Sequence, residues 1–153
     1  MSTATKSITT GVTRETTIHV RDNCLCLHAR RAARALARRF DEAFKPFGLT
    51  NGQFSLMMSL NRPEPPAMGP VAAFLAMDRT TLTAALKPLV RRGLVEVTVD
   101  AQDRRTRRMK LTPAGRQLLA AAVPVWRDTH AELDLLLPDG HPDRLRRDLI
   151  ILS

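Results

Sequence analysis

The 153 residues suffice for one domain, or for one domain with a dimerisation extension. Hydrophobic residues make up 44% and aromatic ones 4%, with no tyrosine, so the chain can build a core and that core has to be mainly aliphatic. Twenty-four Lys and Arg against 15 Asp and Glu leave a net charge of +9, which favours a polyanionic partner, nucleic acid ahead of an anionic membrane surface.

No apolar run approaches the roughly 18–20 residues that span a bilayer. The opening "MSTATKSITTGVTRETT" has no apolar core of signal-peptide type. A cytoplasmic protein without a membrane partner is therefore expected. Its two cysteines, at C-x-C spacing, are not a disulfide framework and start as thiols in a reducing compartment.

In chain order, residues 1–20 read as a mobile tail, Ser/Thr-rich and aperiodic. Asp22 or Asn23 can cap a helix whose apolar face is Leu25, Ala29, Ala32, Ala33, Leu36, Phe40, Ala43, Phe44 and Phe47. Arg30, Arg31, Arg34 and Arg38 fall on the other face, and Pro46 and Gly48 end the helix. "TNGQ", Thr50 to Gln53, has the form of a capping box and opens a helix through Phe54, Leu56, Met57 and Leu60. "NRPEPP" interrupts the chain and "MGPVAAFLAM" reads as a short helix.

Asp78 caps the next helix, which buries Leu82, Ala85, Leu86 and Leu89 and stops at Gly93. Pro88 should kink it by removing a backbone donor and crowding the Ala84 carbonyl. "LVEVTV" is a strand, "DAQDRRTRR" a polar turn and "MKL" the start of a returning strand. Thr112-Pro113 starts a final helical region, notched by Pro124 and broken by "PDGHPD".

Two short helices at a tight junction, followed by a basic hairpin, make a winged helix-turn-helix. The fold class is mainly α with a small β-wing. The winged helix-turn-helix should occupy residues 49–112, and the flanking segments 21–48 and 113–153 should form a helical dimerisation region.

Such a fold offers the N-terminal end of its second helix to the major groove. Here that end carries Arg79, Thr80, Thr81 and Thr83, with Lys87 one turn further on. Arg pairs in bidentate fashion with guanine, and Thr can meet phosphates or thymine methyls. The hairpin stretch "DRRTRRMK" holds five positive residues in eight, a self-repelling density that a polyanion would relieve. Arg105 suits the minor groove, whereas Arg104, Arg107 and Arg108 suit phosphates. Asp103 is expected to order an arginine rather than to meet DNA.

"MDRTTLTAALKPLVRRGLVEVTVDAQDRRTRRMKLTPAGRQLL" resembles the winged-helix core of the MarR family of bacterial transcription regulators. The likeness lies in the Asp-x-Thr-Thr helix start, the "RRGLV" exit, Asp103 and Arg105 in the wing, and "LTPAGR" at the next helix. "FKPFGLTNGQFSLM" is similar to the family's link between its first two helices, and the resemblance covers about residues 22–137. It implies a homodimer joined by N- and C-terminal helices, set on a palindromic operator in double-stranded DNA. It also implies control by a small-molecule effector in a pocket between the dimer helices and the DNA-binding lobe. Glu96 is a departure, because an Arg is common there in the family.

The cysteines pose a separate question. Residues two apart on a helix point roughly away from each other, so Cys24 and Cys26 cannot pair there, nor can Cys26 and His28. Cys24 and His28 could share a metal, but two ligands are too few for a structural zinc site without a partner chain, and no metal site is expected. Cys26 has Arg30 four residues on and lies near a helix start, and both features stabilise a thiolate. It also matches the reactive cysteine of the organic-peroxide-sensing branch of the MarR family. That branch's supporting tyrosines are replaced here by Arg30 and Phe40. Cys26 is thus a candidate redox sensor, set against an inert interfacial thiol.

Met57 and Trp126 are core residues that could line an effector pocket. His130, Asp134 and His141 show no catalytic spacing, no phosphate loop or triad order is visible, and neither an enzyme nor a cofactor is expected. The resulting expectation is a dimeric MarR-type repressor released by an effector or by thiol oxidation. The alternatives are a sequence-indifferent architectural DNA binder and a small thiol enzyme using Cys26.

Overall fold

The computed structural model describes residues 11–153, which divide between Leu36 and Ala37 into two compact units. In the first unit, α1 (Arg14–Asn23) begins at Thr13, whose hydroxyl accepts the Thr16 N–H at 3.2 Å. A helix therefore stands where part of the tail was expected, and residues 1–10 lie outside the described residues. The cap of α2 (Leu25–Phe44) is not Asp22 or Asn23. Asp22 is taken up by Arg21 at 2.6 and 3.0 Å, and the Asn23 amide donates to the His19 carbonyl at 2.8 Å. Cys24 makes the break instead. Its backbone is extended, and its sulfur accepts the Leu27 N–H at 3.4 Å.

In the second unit, the far end of α2 buries Phe40 and Phe44 and passes through a 3₁₀ turn, Lys45–Phe47, to Gly48. The capping box is complete in α3 (Asn51–Ser59). The Thr50 hydroxyl accepts from Gln53 N at 3.2 Å, and the Gln53 side chain accepts from Thr50 N at 3.0 Å. The Asp41 carboxylate takes the Asn51 N–H at 2.6 Å and so ties the start of α3 to α2.

Next come α4 (Met68–Phe74) and α5 (Arg79–Arg91). The turn between them passes through Ala76 in a left-handed conformation, φ 50°, with Met77 N–H bonded back to Ala72 O at 2.9 Å. That closure ends α4 abruptly and lets α5 start after four intervening residues. Asp78 caps α5, which runs unbroken through Pro88. Its Leu82, Leu86 and Leu89 are buried, so Thr80, Thr83 and Lys87 are left facing out. At its far end the Arg92 guanidinium donates to the Gly48 and Phe47 carbonyls at 2.6 and 2.9 Å.

The strands β1 (Val95–Val99) and β2 (Arg107–Leu111) pair antiparallel, with Val95 opposite Leu111 and Val99 opposite Arg107. Glu96 faces Lys110 across the ladder and pairs with it at 3.2 Å. After β2, Thr112 caps α6 (Pro113–Asp134), which is continuous through Pro124, and α7 (His141–Ile151) follows. Phe44, Leu56, Met57, Val71, Leu82, Leu89, Val95, Met109 and Leu111 form the most enclosed part of one core, to which α6 adds Leu119 and Ala122. The ends of the expected dimerisation segments thus share a core with the winged helix. No helix among the described residues is long and apolar enough to cross a membrane.

The junction of α6 with the hairpin is tight. The Leu94 carbonyl accepts from Thr112 N at 3.0 Å, and a Cβ placed on Gly115 would lie 2.0 Å from that same oxygen. Backbone must move to admit any side chain there. Gly115→Ala is expected to cost roughly 2–4 kcal/mol in urea unfolding. A loss below about 0.5 kcal/mol, the range of neutral surface changes, would contradict this packing.

Candidate nucleic-acid interface

The exposed start of α5 is organised by its cap. Asp78 accepts from Thr81 N at 2.7 Å and from the Thr81 hydroxyl at 3.0 Å, which holds its carboxyl below the usual carboxylate range. The Thr83 hydroxyl donates to Arg79 O at 2.7 Å, leaving its methyl and a lone pair for a ligand. Arg79, Thr80 and Lys87 are exposed, and their side chains make no hydrogen bond among the described residues.

The wing is built around two aspartates. Asp100 accepts from Gln102 N at 2.8 Å, from Asp103 N at 2.9 Å and from Arg108 Nε. Asp103 accepts from Arg105 N at 3.0 Å and from the Thr106 hydroxyl at 2.9 Å. Asp103 therefore orders the backbone of Arg105, in line with its expected role. Arg108 differs from its neighbours. Besides Asp100 it reaches the Pro65 carbonyl at 2.9 Å, and it is only partly exposed. Its guanidinium is thus used inside the protein, whereas Arg104, Arg105 and Arg107 stay exposed.

These elements converge. Arg79 of α5 and Arg105, Thr106 and Arg107 of the wing line a cleft of about 170 Å³ floored by residues 67–69 at the start of α4. Among the described residues, no carboxylate forms an ion pair with Arg79, Arg105 or Arg107.

A second cavity, of about 620 Å³, lies between α3, the end of α4 and α6. Phe54, Met58, Phe74, Val123 and Trp126 give it apolar walls, with Arg62 and Arg127 at its edge. Of the two expected pocket residues, Trp126 lines it and Met57 does not. Met57 is fully enclosed in the core, one helical position away from Met58. Trp126 lies against His130 with the rings tilted by 47° and centroids 4.3 Å apart, and Phe40 meets the same His130 ring edge-on at 4.7 Å. Burial, and then the charge of Arg146, hold His130 below its ordinary value, with Asp134 opposing.

Cys26 is exposed on α2, and Cys24 is half-buried at the break. His28 donates from Nε2 to the Asp22 carbonyl at 3.2 Å. Among the described residues, no three His, Cys, Asp or Glu side chains are grouped to hold a metal.

The MarR family model matches residues 49–106, from the link before α3 to the wing. The M. tuberculosis transcriptional regulator MosR, solved in complex with DNA, is 42% identical. That alignment covers 84% of this chain and 92% of MosR with a TM-score of 0.76. The chain belongs to the MarR family. The transcriptional repressor CouR, solved on a 23-mer duplex, is 28% identical over 88% of this MarR-family chain and 96% of its own, with a TM-score of 0.79. The transcriptional activatory protein BadR of Rhodopseudomonas palustris is 30% identical over 99 residues, which span 63% of this chain and 57% of BadR.

Asp100 is the member of this MarR wing that the sequence reading missed. Its signal was present: an Asp at a strand end, with the N–H groups two and three residues on free to bond back to it. The Arg108 guanidinium, then the Asp103 and Gln102 N–H groups, bring its carboxyl down to about 2. A carboxylate depressed in the fold supports the wing fully above its ordinary value of about 4, and that support is lost as pH falls through the folded value. The Arg108 Nε–H signal in NMR spectra should therefore persist at about pH 3 and fade toward about pH 2. Fading already near about pH 5 would contradict the Asp100–Arg108 bond.

Proposed function

We propose that this MarR-family regulator is a homodimeric repressor that binds a palindromic operator with α5 in the major groove and the wing on the flanking backbone and minor groove. The observation that carries the proposal is the exposed face of α5 set beside Arg104, Arg105 and Arg107 of the wing, which no carboxylate neutralises among the described residues. Thr80, Thr83 and Lys87 would meet base edges. The wing tip, Arg104 and Arg105, would lie over the minor groove. MosR and CouR, both solved on DNA, support the partner, and the repressor CouR supports the sign of control. Such a regulator works in the cytoplasm beside its DNA.

Each unit leaves apolar side chains exposed that a second copy would cover. They include Leu25, Leu27 and Leu36 in the first, and Leu135, Leu136, Ile150 and Ile151 in the second. Control would come through a small apolar effector beside Trp126, or through oxidation of the exposed Cys26.

Fluorescence anisotropy with duplexes tiled across the DNA flanking its own gene tests the binding. One duplex should bind at least about 10³-fold more tightly than a scrambled duplex of equal composition. Arg105→Ala should weaken that complex about tenfold, roughly 1.4 kcal/mol. Equal affinity for all duplexes would favour a sequence-indifferent architectural protein instead. For the thiol, Cys26→Ser should keep DNA affinity and abolish release by peroxide, and release that persists in the variant would remove Cys26 as the sensor.

A further inference from the structure

By residue type and helix position alone, Arg79 suits a base edge. Its position in the fold favours another ligand. Arg79 leaves the first turn of α5 and lines the same cleft as Arg107, which comes from the first residue of β2. Arg105 and Thr106 border this space on the wing side, and residues 67–69 close its floor. The cleft holds about 170 Å³, room for one compact oxyanion rather than for a base pair. Among the described residues, none of its three guanidiniums has an acidic partner, although Asp100 and Asp103 lie in the same wing. Both aspartates are committed elsewhere, to backbone N–H groups, to Arg108 and to the Thr106 hydroxyl. Three like charges facing one cleft repel each other, and a tetrahedral oxyanion satisfies their paired N–H donors at once.

We propose that the cleft between α5 and the wing is a site for a single phosphate group, held by Arg79 and Arg107. In the DNA complex the group would be a backbone phosphate beside the groove that α5 occupies, and this part rests on the function proposed above. In the free protein the same site would take orthophosphate. Arg79 then fixes the register of α5 on the duplex, and Thr80, Thr83 and Lys87 carry the base reading. The wing and α5 would share one phosphate, so each limits where the other can sit.

Two measurements separate the ligand sources. The first uses the free protein and orthophosphate, with chloride at matched ionic strength as control, and follows the arginine Nε–H signals by NMR. Saturable shifts at Arg79 and Arg107 are expected with orthophosphate only, and should be lost from Arg107 in Arg79→Ala. Shifts that grow linearly and equally in both salts would overturn the site, whether or not the protein binds DNA. The second compares wild type, Arg79→Ala and Arg107→Ala on the preferred duplex and on its single-base variants. A phosphate contact predicts the same fold-loss on every variant and a salt slope lower by about 1 for each substitution. A loss by Arg79→Ala confined to one base position would return Arg79 to base reading and overturn the proposal. Saturable orthophosphate binding with unchanged DNA affinity would assign the site to free phosphate.

Discussion

Asp100 holds together a hairpin that its own charges would drive apart. Five cations lie between residues 104 and 110, and such a turn is unfavourable without an internal anion. Asp100 provides one, at the strand end where its two oxygens reach the next turn's N–H groups and Arg108 together. Arg108 then carries the fix outward, to the Pro65 carbonyl, while Met109 N–H bonds to Pro66 O at 3.0 Å and residue 67 bridges to Arg108. The wing is thereby anchored to the start of α4. With the wing anchored there, Arg105 and Arg107 stand beside Arg79 in one cleft.

Helix α5 is secured in a complementary way. Its inner face locks into the core through Leu82, Leu86 and Leu89, and its two ends are held by polar contacts. Asp78 organises the first turn, and Arg92 ties the last to the Phe47 and Gly48 carbonyls, at the exit from α2. The Leu94 carbonyl, pressed against Gly115, sets the start of α6 on the same frame. A shift of α2 or α6 therefore has short, hydrogen-bonded routes to both the helix and the wing. The cavity beside Trp126 opens between α3 and α6, within that same frame.

Much of this was legible in the residues. Thr50/Gln53, Asp78 and Thr112 announce helix starts by side chains that serve local N–H groups, and local chemistry of that kind reads directly from sequence. The period of Leu82, Leu86 and Leu89 gave the outer face of α5 by subtraction. What failed to show depended on competition or on distance. Asp22 and Asn23 looked like caps, but each had a nearer partner, and the break fell to Cys24. The helix α1 buries no residue, so it left no hydrophobic pattern to read. Met57 and Met58 are equivalent in composition, and only the rotation of α3 decides which meets the core and which the cavity. In the wing, Arg104, Arg105, Arg107 and Arg108 are indistinguishable by residue type. A carbonyl 43 residues away singles out Arg108.

Hydroxyl-radical footprinting of the full chain on its preferred duplex tests the central claim, that α5 and the wing together form a DNA-reading surface. Two backbone patches protected symmetrically about one centre, about one helical turn or a multiple apart, are expected, with minor-groove protection outside them that disappears in Arg105→Ala. Even protection along every duplex, or a footprint that the wing substitution leaves unchanged, would contradict it.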